Sequence, residues 1–391
     1  MRVLHTADWH LGRTLEGRSR IDEQAQFLTE LNDIVKEEKI DVVLMAGDVF
    51  DTVNPPAAAE QLFYESMAKL TSDRNCKVVL IAGNHDNPDR LSASGPLAGL
   101  HGITIVGYPK LKPIELHMDN CNQTLKIAAL PYPSEARLNE VLTESVQEEA
   151  LQSAYDHRIE AIFQQICKGF DPTSVNLAMS HVYVAGGREC DSERPIQVGG
   201  AYTVSANALP AQAQYVALGH LHRPQTIQRA NGIARYSGSP LSYSFSEAGQ
   251  SKSVTILDVE PGKQPDINEL LLSSGKPLVR WKAEEGLSQI YRWLDEEKDA
   301  NAWIDLEVHL KDALSMEEIQ RLRNAHPGFI HIRPVFKELK PVSNEQRVSE
   351  LPIDQLFKRF YERQTNGGIP DDKTIKLFLE MIQHEEGDAV K

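Results

Sequence analysis

Residues 78–86 read Val-Val-Leu-Ile-Ala-Gly-Asn-His-Asp. Five apolar residues, three of them β-branched, suit a short buried strand, and the polar residues beyond place Gly83, Asn84, His85 and Asp86 at its carboxyl end. The arrangement recurs along the chain. Val3-Leu4 leads into His5-Thr6-Ala7-Asp8-Trp9-His10, residues 42–46 into Gly47-Asp48, residues 177–180 into His181, and residues 216–218 into Gly219-His220-Leu221-His222. Between the first two runs, Ile21, Ala25, Leu28, Leu31 and Val35 fall at helical spacing, predicting a helix over 21–38, and a second is predicted over 57–70. Alternating strands and helices define an α/β domain. Loops beyond the carboxyl ends of such strands converge on one crevice, so all five polar clusters are expected there.

Asp8 and His10 are spaced i, i+2, as are His220 and His222. In an extended segment such pairs face one side, so both members could reach one ion. Imidazole, carboxylate and amide donors together suit manganese, iron or zinc better than calcium or magnesium. Asp48, with two carboxylate oxygens, is the natural bridge between two ions. A single D-x-H or G-D after a strand is usually turn chemistry, and a lone His220 or His222 is usually a hydrogen-bonded buried imidazole. Five motifs in this order, each after a strand, are not explained that way.

At 391 residues the chain calls for two or three domains. Its 41% hydrophobic and 25% charged residues describe a folded globular protein rather than a disordered one. A net charge of −15 argues against a protein that grips nucleic acid through a broad basic face. Two divalent cations would offset it locally, where a phosphate must approach. Cys76, Cys121, Cys167 and Cys190 lack C-x-x-C spacing, so neither a zinc ribbon nor a disulfide framework is indicated. The N-terminal residues carry no long apolar stretch and no window approaches a spanning helix, which predicts a cytoplasmic protein without membrane contact.

The Glu260-Pro261-Gly262 turn and the Ser-Ser-Gly-Lys-Pro break at 273–277 set an expected domain boundary near 275. Residues 1–275 would form the α/β domain. Residues 276–340 would form a small α+β domain, with strands at 278–281, 303–310 and 329–336 and helices at 287–297 and 316–324. Residues 341–391 read as a linker and helical hairpin: Ile353, Leu356, Phe357 and Phe360 share one face, and Ile375, Phe378, Leu379 and Ile382 repeat the spacing after a Gly367-Gly368-Ile369-Pro370 break. Helices this short are marginal alone, so they must dock on their own body or on another protein.

The five motifs closely resemble the calcineurin-like metallophosphoesterases, whose signature runs D-x-H, G-D, G-N-H-[DE], H, G-H-x-H. Within that superfamily the sequence is similar to the DNA double-strand-break repair nucleases, through HTADWHLGR at 5–13, AGDVFDTVNPP at 46–56, AGNHDNPDRL at 82–91, ALGHLHRPQ at 217–225 and RYSGSPLSYSFSEAGQSKSV at 235–254. The likeness covers nearly the whole chain and is weakest over 110–170 and 260–340. It implies a sandwich of two mixed β-sheets flanked by helices, with a capping domain and a C-terminal hairpin. It further implies that Asp8, His10, Asp48 and His222 hold one metal and that Asp48, Asn84, His181 and His220 hold a second, most simply manganese. By the same likeness His85 steadies the phosphate and assists the leaving oxygen, while Asp86 orients it or is structural. Where archaeal relatives carry a further His, this chain has Asp51, the candidate for a second acid or phosphate-contacting role.

Two-metal sites activate water and clamp the attacking and leaving oxygens of a displacement. No Ser or Cys sits in a nucleophile-elbow context, in keeping with direct hydrolysis by water. The resemblance implies a metal-dependent exonuclease and endonuclease acting on DNA with a coiled-coil ATPase, which Leu356, Phe357, Phe360, Phe378 and Leu379 of the hairpin would bind. It also implies a homodimer formed by the helices after Asp48 and His85. The competing expectations are a stand-alone phosphodiesterase or phosphatase acting on small phosphate esters, and an assembly subunit with a vestigial site. The complete ligand set speaks against the last.

Overall fold

The computed structural model describes residues 1–72, 76–134, 155–193, 203–310, 314–336, 352–364 and 370–379. They fall into two compact units, residues 1–335 and 336–391.

The first unit is built on two six-stranded mixed sheets. One runs Asp266–Leu271, Ser253–Asp258, Arg2–Thr6, Val42–Met45, Lys77–Ile81, Ile103–Val106, with the last four parallel and the first two joined antiparallel at the edge. The other runs Gln225–Thr226, Ala234–Tyr236, Tyr215–Gly219, Val175–His181, Gln123–Leu130, Ile114–Met118, parallel through its four central strands. Alternation along each strand explains the layering. Val3, Val42, Leu44, Val79 and Ile81 share one cluster with Leu125, Ile127, Leu177, Met179 and Tyr215, which is the layer between the sheets. Leu4, Val43, Met45 and Leu80 face outward, onto Phe27, Leu31, Phe63 and Met67 of the helices Ile21–Glu37 and Ala57–Leu70. Outside the second sheet, Ile159, Ile162, Phe163 and Ile166 of the helix Tyr155–Cys167 cover Ala128, Ala178, Val216 and Tyr236. Strands buried on both faces need apolar runs, and each such Leu or Phe withdrawn from water contributes about 1.5–3 kcal/mol. The expected sandwich is therefore present.

Polar contacts also tie the sheets together. His5 Nδ1 lies 2.9 Å from the Tyr215 hydroxyl, and Arg235 Nε donates to Thr255 Oγ1 at 3.3 Å. Burial, with the Arg235 charge adding to it, lowers the His5 imidazole to about 3, so it stays neutral.

Beyond 275, strands Leu278–Ala283, Trp303–Leu310 and Phe329–Phe336 form a third sheet. Trp281, Ile304, Leu306 and Phe329 pack with Ile290 and Leu322 of the helices Leu287–Asp295 and Met316–Ala325. A buried ionic joint fastens this sheet to the sandwich. Glu23 accepts from Arg20 at 2.6 and 2.8 Å, from the Lys276 main chain at 2.6 Å and from Trp303 Nε1 at 2.9 Å. Leu15, Leu278 and Trp303 close over it.

In the second unit, the helix Ile353–Gln364 and the helical residues 372–379 meet through Phe357 and Phe378, whose rings stack 3.9 Å apart at 12°. Gly367, Gly368, Ile369 and Ile382 lie outside the described residues. Among the described residues no helix is long and apolar enough to cross a membrane.

Candidate metal centre

Asp8 and His10 follow the strand Arg2–Thr6, Asp48 follows Val42–Met45, and Asn84 and His85 follow Lys77–Ile81, all in the first sheet. His181 ends Val175–His181, and His220 and His222 follow Tyr215–Gly219, in the second. The two sheets thus deliver their donors to one crevice at their common carboxyl edge. Two glycines permit the approach. A Cβ on Gly83 would overlap the Asp48 carboxylate, and one on Gly219 would overlap the Ala46 carbonyl.

The reach of the donors has a different origin from the extended i, i+2 geometry expected for them. Asp8, His10, Asp48 and His220 all adopt left-handed backbone, with φ of 56°, 46°, 52° and 106°. Such conformations persist where surrounding bonds over-determine them, and they cluster at functional sites. The loops supply those bonds: Asp8 N donates to Gly47 O at 3.0 Å and His10 N to Asp48 O at 3.0 Å. Asp8 and His10 still share a neighbour, His222. His220 and His222 diverge, His220 Nδ1 lying 3.3 Å from Asn84 Oδ1 and His222 Nε2 3.1 Å from His10 Nε2.

Asp48 lies where the two groups of donors meet. Its Oδ2 is 3.6 Å from His10 Nε2 and 3.3 Å from His181 Nε2, while its Oδ1 accepts the His85 main-chain N–H at 2.9 Å. Asp8 also touches both groups, standing near His10 and His222 and near Asp48 and His181.

The residues fit bound cations. His181 Nδ1 donates to Ala46 O at 2.9 Å, so its Nε2 faces two acceptors, Asn84 Oδ1 at 2.8 Å and Asp48 Oδ2. His10 and His222 turn Nε2 atoms toward each other, and Asp8 Oδ2 is buried without a hydrogen-bond partner. Buried acceptors facing acceptors need a cation or a proton between them. Burial drives His10 to about 3 and also lowers His222 and His220, leaving ring lone pairs free. His181 is the exception. Burial pulls its pKa down, yet the Asp48 and Asp8 carboxylates lift it to about 9, so a proton stands there when no metal does.

His85 Nδ1 is 2.7 Å from the Asp51 carbonyl, so its orienting partner is the Asp51 main chain and not Asp86. Asp86 is a brace: it accepts from the main chain of Gly83 at 2.8 Å, Phe50 at 3.0 Å and Val49 at 3.1 Å, binding two motif loops together. Burial and the Asp48 charge raise it to about 6 against those bonds. The Asp51 carboxylate lies 3.4 Å from His10 Nδ1, 3.6 Å from Arg13 Nη1 and 3.9 Å from His85 Nδ1. Burial raises it, but the His10 side chain foremost, and then the Arg13 guanidinium, hold it below the usual carboxylate range.

Sequence reasoning missed a layer behind the donors: Ser192, Glu193, Glu247 and Lys252, all within bonding reach of His222. Glu247 and Lys252 fall in the stretch 235–254 that carried the resemblance, so a signal existed. Ser192 and Glu193 belong to no motif.

A sandwich that brings imidazole, carboxylate and amide donors together at one edge defines a metal-dependent phosphoesterase. Residues 1–224 match the family model for calcineurin-like phosphoesterases, and residues 274–365 match the model described as the type 5 capsule protein repressor C-terminal domain. The SbcCD nuclease D subunit of Bacillus subtilis (strain 168) is 60% identical over 390 residues, covering 100% of both chains. Its namesake in Rhodobacter capsulatus is 35% identical over 73% of this chain and 72% of the relative. The one in Escherichia coli (strain K12) is 29% identical over 92% of each. The chain belongs to the calcineurin-like phosphoesterases and, within them, to the family of SbcCD nuclease D subunits. It is a metal-dependent phosphodiesterase of the nuclease kind.

Proposed function

We propose that this chain is the DNA-cutting subunit of an SbcC-type nuclease complex, hydrolysing phosphodiester bonds with two divalent ions, manganese foremost, in DNA end processing, repair and recombination. The observation that carries the reading is the Asp48 carboxylate standing between His10 and His181, one donor from each group. Asp8, His10, Asp48 and His222 would hold one ion, and Asp48, Asn84, His181 and His220 the other. When bound, the ions supply Lewis acidity toward phosphoryl oxygens and acidify water. The chain's own residues do the rest. His85, anchored through Nδ1 on the Asp51 carbonyl, keeps Nε2 for holding or releasing a proton at the leaving oxygen. Asp51 orients His10 and His85 and balances Arg13 in preference to meeting the phosphate itself.

Residues 1–275 then form the nuclease domain, residues 276–340 the domain that caps the approach of DNA, and residues 341–391 the linker and hairpin. Phe357 and Phe378 hold the hairpin together, with Leu356 and Leu379 half-buried beside them. Phe360, 59% exposed, is the aromatic left for an SbcC-type coiled-coil ATPase. A homodimer through the helices after Asp48 and His85 is supported by a groove of about 450 Å³ lined by Phe63, Tyr64, Met67, Leu97 and Ala98. Beside it Leu97 and Leu100 are 72% and 75% exposed.

The deciding assay uses end-labelled duplex, hairpin and single-stranded DNA with manganese, with and without the ATPase partner and ATP, beside a small nucleotide diester. Manganese-dependent DNA cleavage abolished by chelation is expected. Brisk turnover of the small ester with every DNA left intact would replace this reading by a small-ester phosphodiesterase.

A further inference from the structure

His222 is gripped at three atoms by residues outside the five motifs. Its main-chain N–H donates to Glu193 Oε1 at 2.7 Å, and its carbonyl accepts from Lys252 Nζ at 3.0 Å. Its Nδ1 lies 2.7 Å from Ser192 Oγ, which donates in turn to Glu247 Oε1 at 2.6 Å. Glu247 pairs with Lys252, and its Oε1 also accepts the main-chain N–H groups of Tyr243 at 3.0 Å and Ser244 at 3.1 Å. Lys252 makes a further bond to Ser239 Oγ at 3.0 Å. Ser192, Glu247 and Lys252 are all buried.

The direction of this chain of bonds follows from counting protons. Glu247 is an ionised carboxylate surrounded by donors, so it can only accept. A serine hydroxyl has one proton. Once that proton goes to Glu247, Ser192 Oγ must accept from His222, which puts the ring proton on Nδ1 and the lone pair on Nε2. Nε2 is the atom that faces His10 across 3.1 Å.

We propose that Ser192, backed by the Glu247–Lys252 ion pair, is a positioning residue that locks His222 in the Nδ1–H tautomer and so presets Nε2 as a donor to the metal. The proposal rests on the reading of His222 as a metal ligand. Histidine ligands that give their second ring proton to such a partner lose about 10–100-fold in metal affinity when it is removed. A merely structural role for the pair, stapling residues 239–252 to the strand ends, would not depend on the hydroxyl proton of Ser192.

The test compares Ser192→Thr with Ser192→Val, isosteres that differ only in the hydroxyl. In metal-free protein labelled with ¹⁵N-histidine, long-range ¹H–¹⁵N correlation reads the His222 tautomer directly. The Nδ1–H form alone is expected in the parent and in Ser192→Thr, with the Nε2–H form appearing in Ser192→Val. Calorimetric titration with Mn²⁺ should show affinity about 10–100-fold weaker in Ser192→Val than in Ser192→Thr. Ser192→Ala, which adds no volume, repeats the measurement should the valine variant not fold. An Nδ1–H tautomer unchanged in the variants without the hydroxyl would overturn the proposal. Failure of the parent to bind Mn²⁺ would instead overturn the metal reading, with the tautomer result unaffected.

Discussion

The motif loops of the sandwich and the C-terminal helices both carry residues proposed to do the protein's work, and they are built in opposite ways. At the loops, every donor but the half-buried Asn84 is buried, and the loops are tied to one another. Asp48 accepts from the His85 main chain, Asp8 from that of His220 at 2.9 Å, and left-handed backbone at four positions is held by bonds between neighbouring loops. In the helices, Phe357 stacks on Phe378 across two short segments, while Ile353, Phe360 and Leu377 are 48%, 59% and 59% exposed. The first arrangement is preorganised and needs only its ions. The second leaves apolar side chains in water, and aromatic faces so placed gain stabilisation wherever a partner covers them. Chemistry and recruitment should therefore be separable by mutation.

The largest effect falls on the donor shared by both groups. Asp48→Ala removes the carboxylate oxygen that lies 3.6 Å from His10 Nε2 and 3.3 Å from His181 Nε2, so Mn²⁺ binding by calorimetry and hydrolysis of duplex DNA should both fall to background. ATPase capture in a pull-down should survive. Retention of two Mn²⁺ ions by Asp48→Ala would break the assignment of the bridge.

Next comes His85→Ala. The His85 ring hangs from the Asp51 carbonyl, and its main-chain N–H, which alanine retains, donates to Asp48. Metal stoichiometry should be unchanged, and single-turnover hydrolysis should drop by about 10²–10⁴-fold, the usual worth of a positioned acid or base. Cleavage at the parental rate would show that the imidazole takes no part in proton transfer.

The same contrast explains what the sequence could and could not reveal. The motif loops were legible because each begins where an apolar run ends, and a glycine such as Gly83 or Gly219 marks a point where no side chain fits. Their backbone was not legible: positive φ at Asp8, His10 and His220 comes from bonds between loops far apart in sequence, so the local assumption of an extended segment failed. Strands Ile114–Met118 and Gln123–Leu130 went unassigned, along with the helix Tyr155–Cys167. The first is an edge strand with alternate residues in water, and the second begins Gln-Thr and places Lys126 in its middle. The second does carry an apolar run at 127–130, but that run leads into Pro131 and not into a cluster of polar donors of the kind that marks the motif strands. Ser192 and Glu193 were invisible for a related reason. Their task is set entirely by the tertiary position of His222, about thirty residues away in sequence, and one Ser-Glu pair carries no periodicity to read.

The smallest effect tests the helices. Phe360 is exposed and stands outside the Phe357–Phe378 stack, so Phe360→Ser should change the melting behaviour little, surface changes of this kind amounting to about ±0.5 kcal/mol. As an aromatic anchor for the ATPase it would be worth about 2 kcal/mol or more, a loss of roughly thirty-fold in affinity measured by fluorescence anisotropy. Manganese-dependent cleavage by the isolated protein should stay at the parental level, because the donors lie in the other compact unit. Phe357→Ser serves as the internal contrast. It removes half of the stack that joins the two segments, so it should weaken capture through loss of the hairpin, visible as reduced helicity by circular dichroism, which Phe360→Ser should not show. If Phe360→Ser binds the ATPase as tightly as the parent, that face does not dock the partner. The exposed aromatic would then be an ordinary surface residue, and recruitment would have to reside elsewhere on the chain.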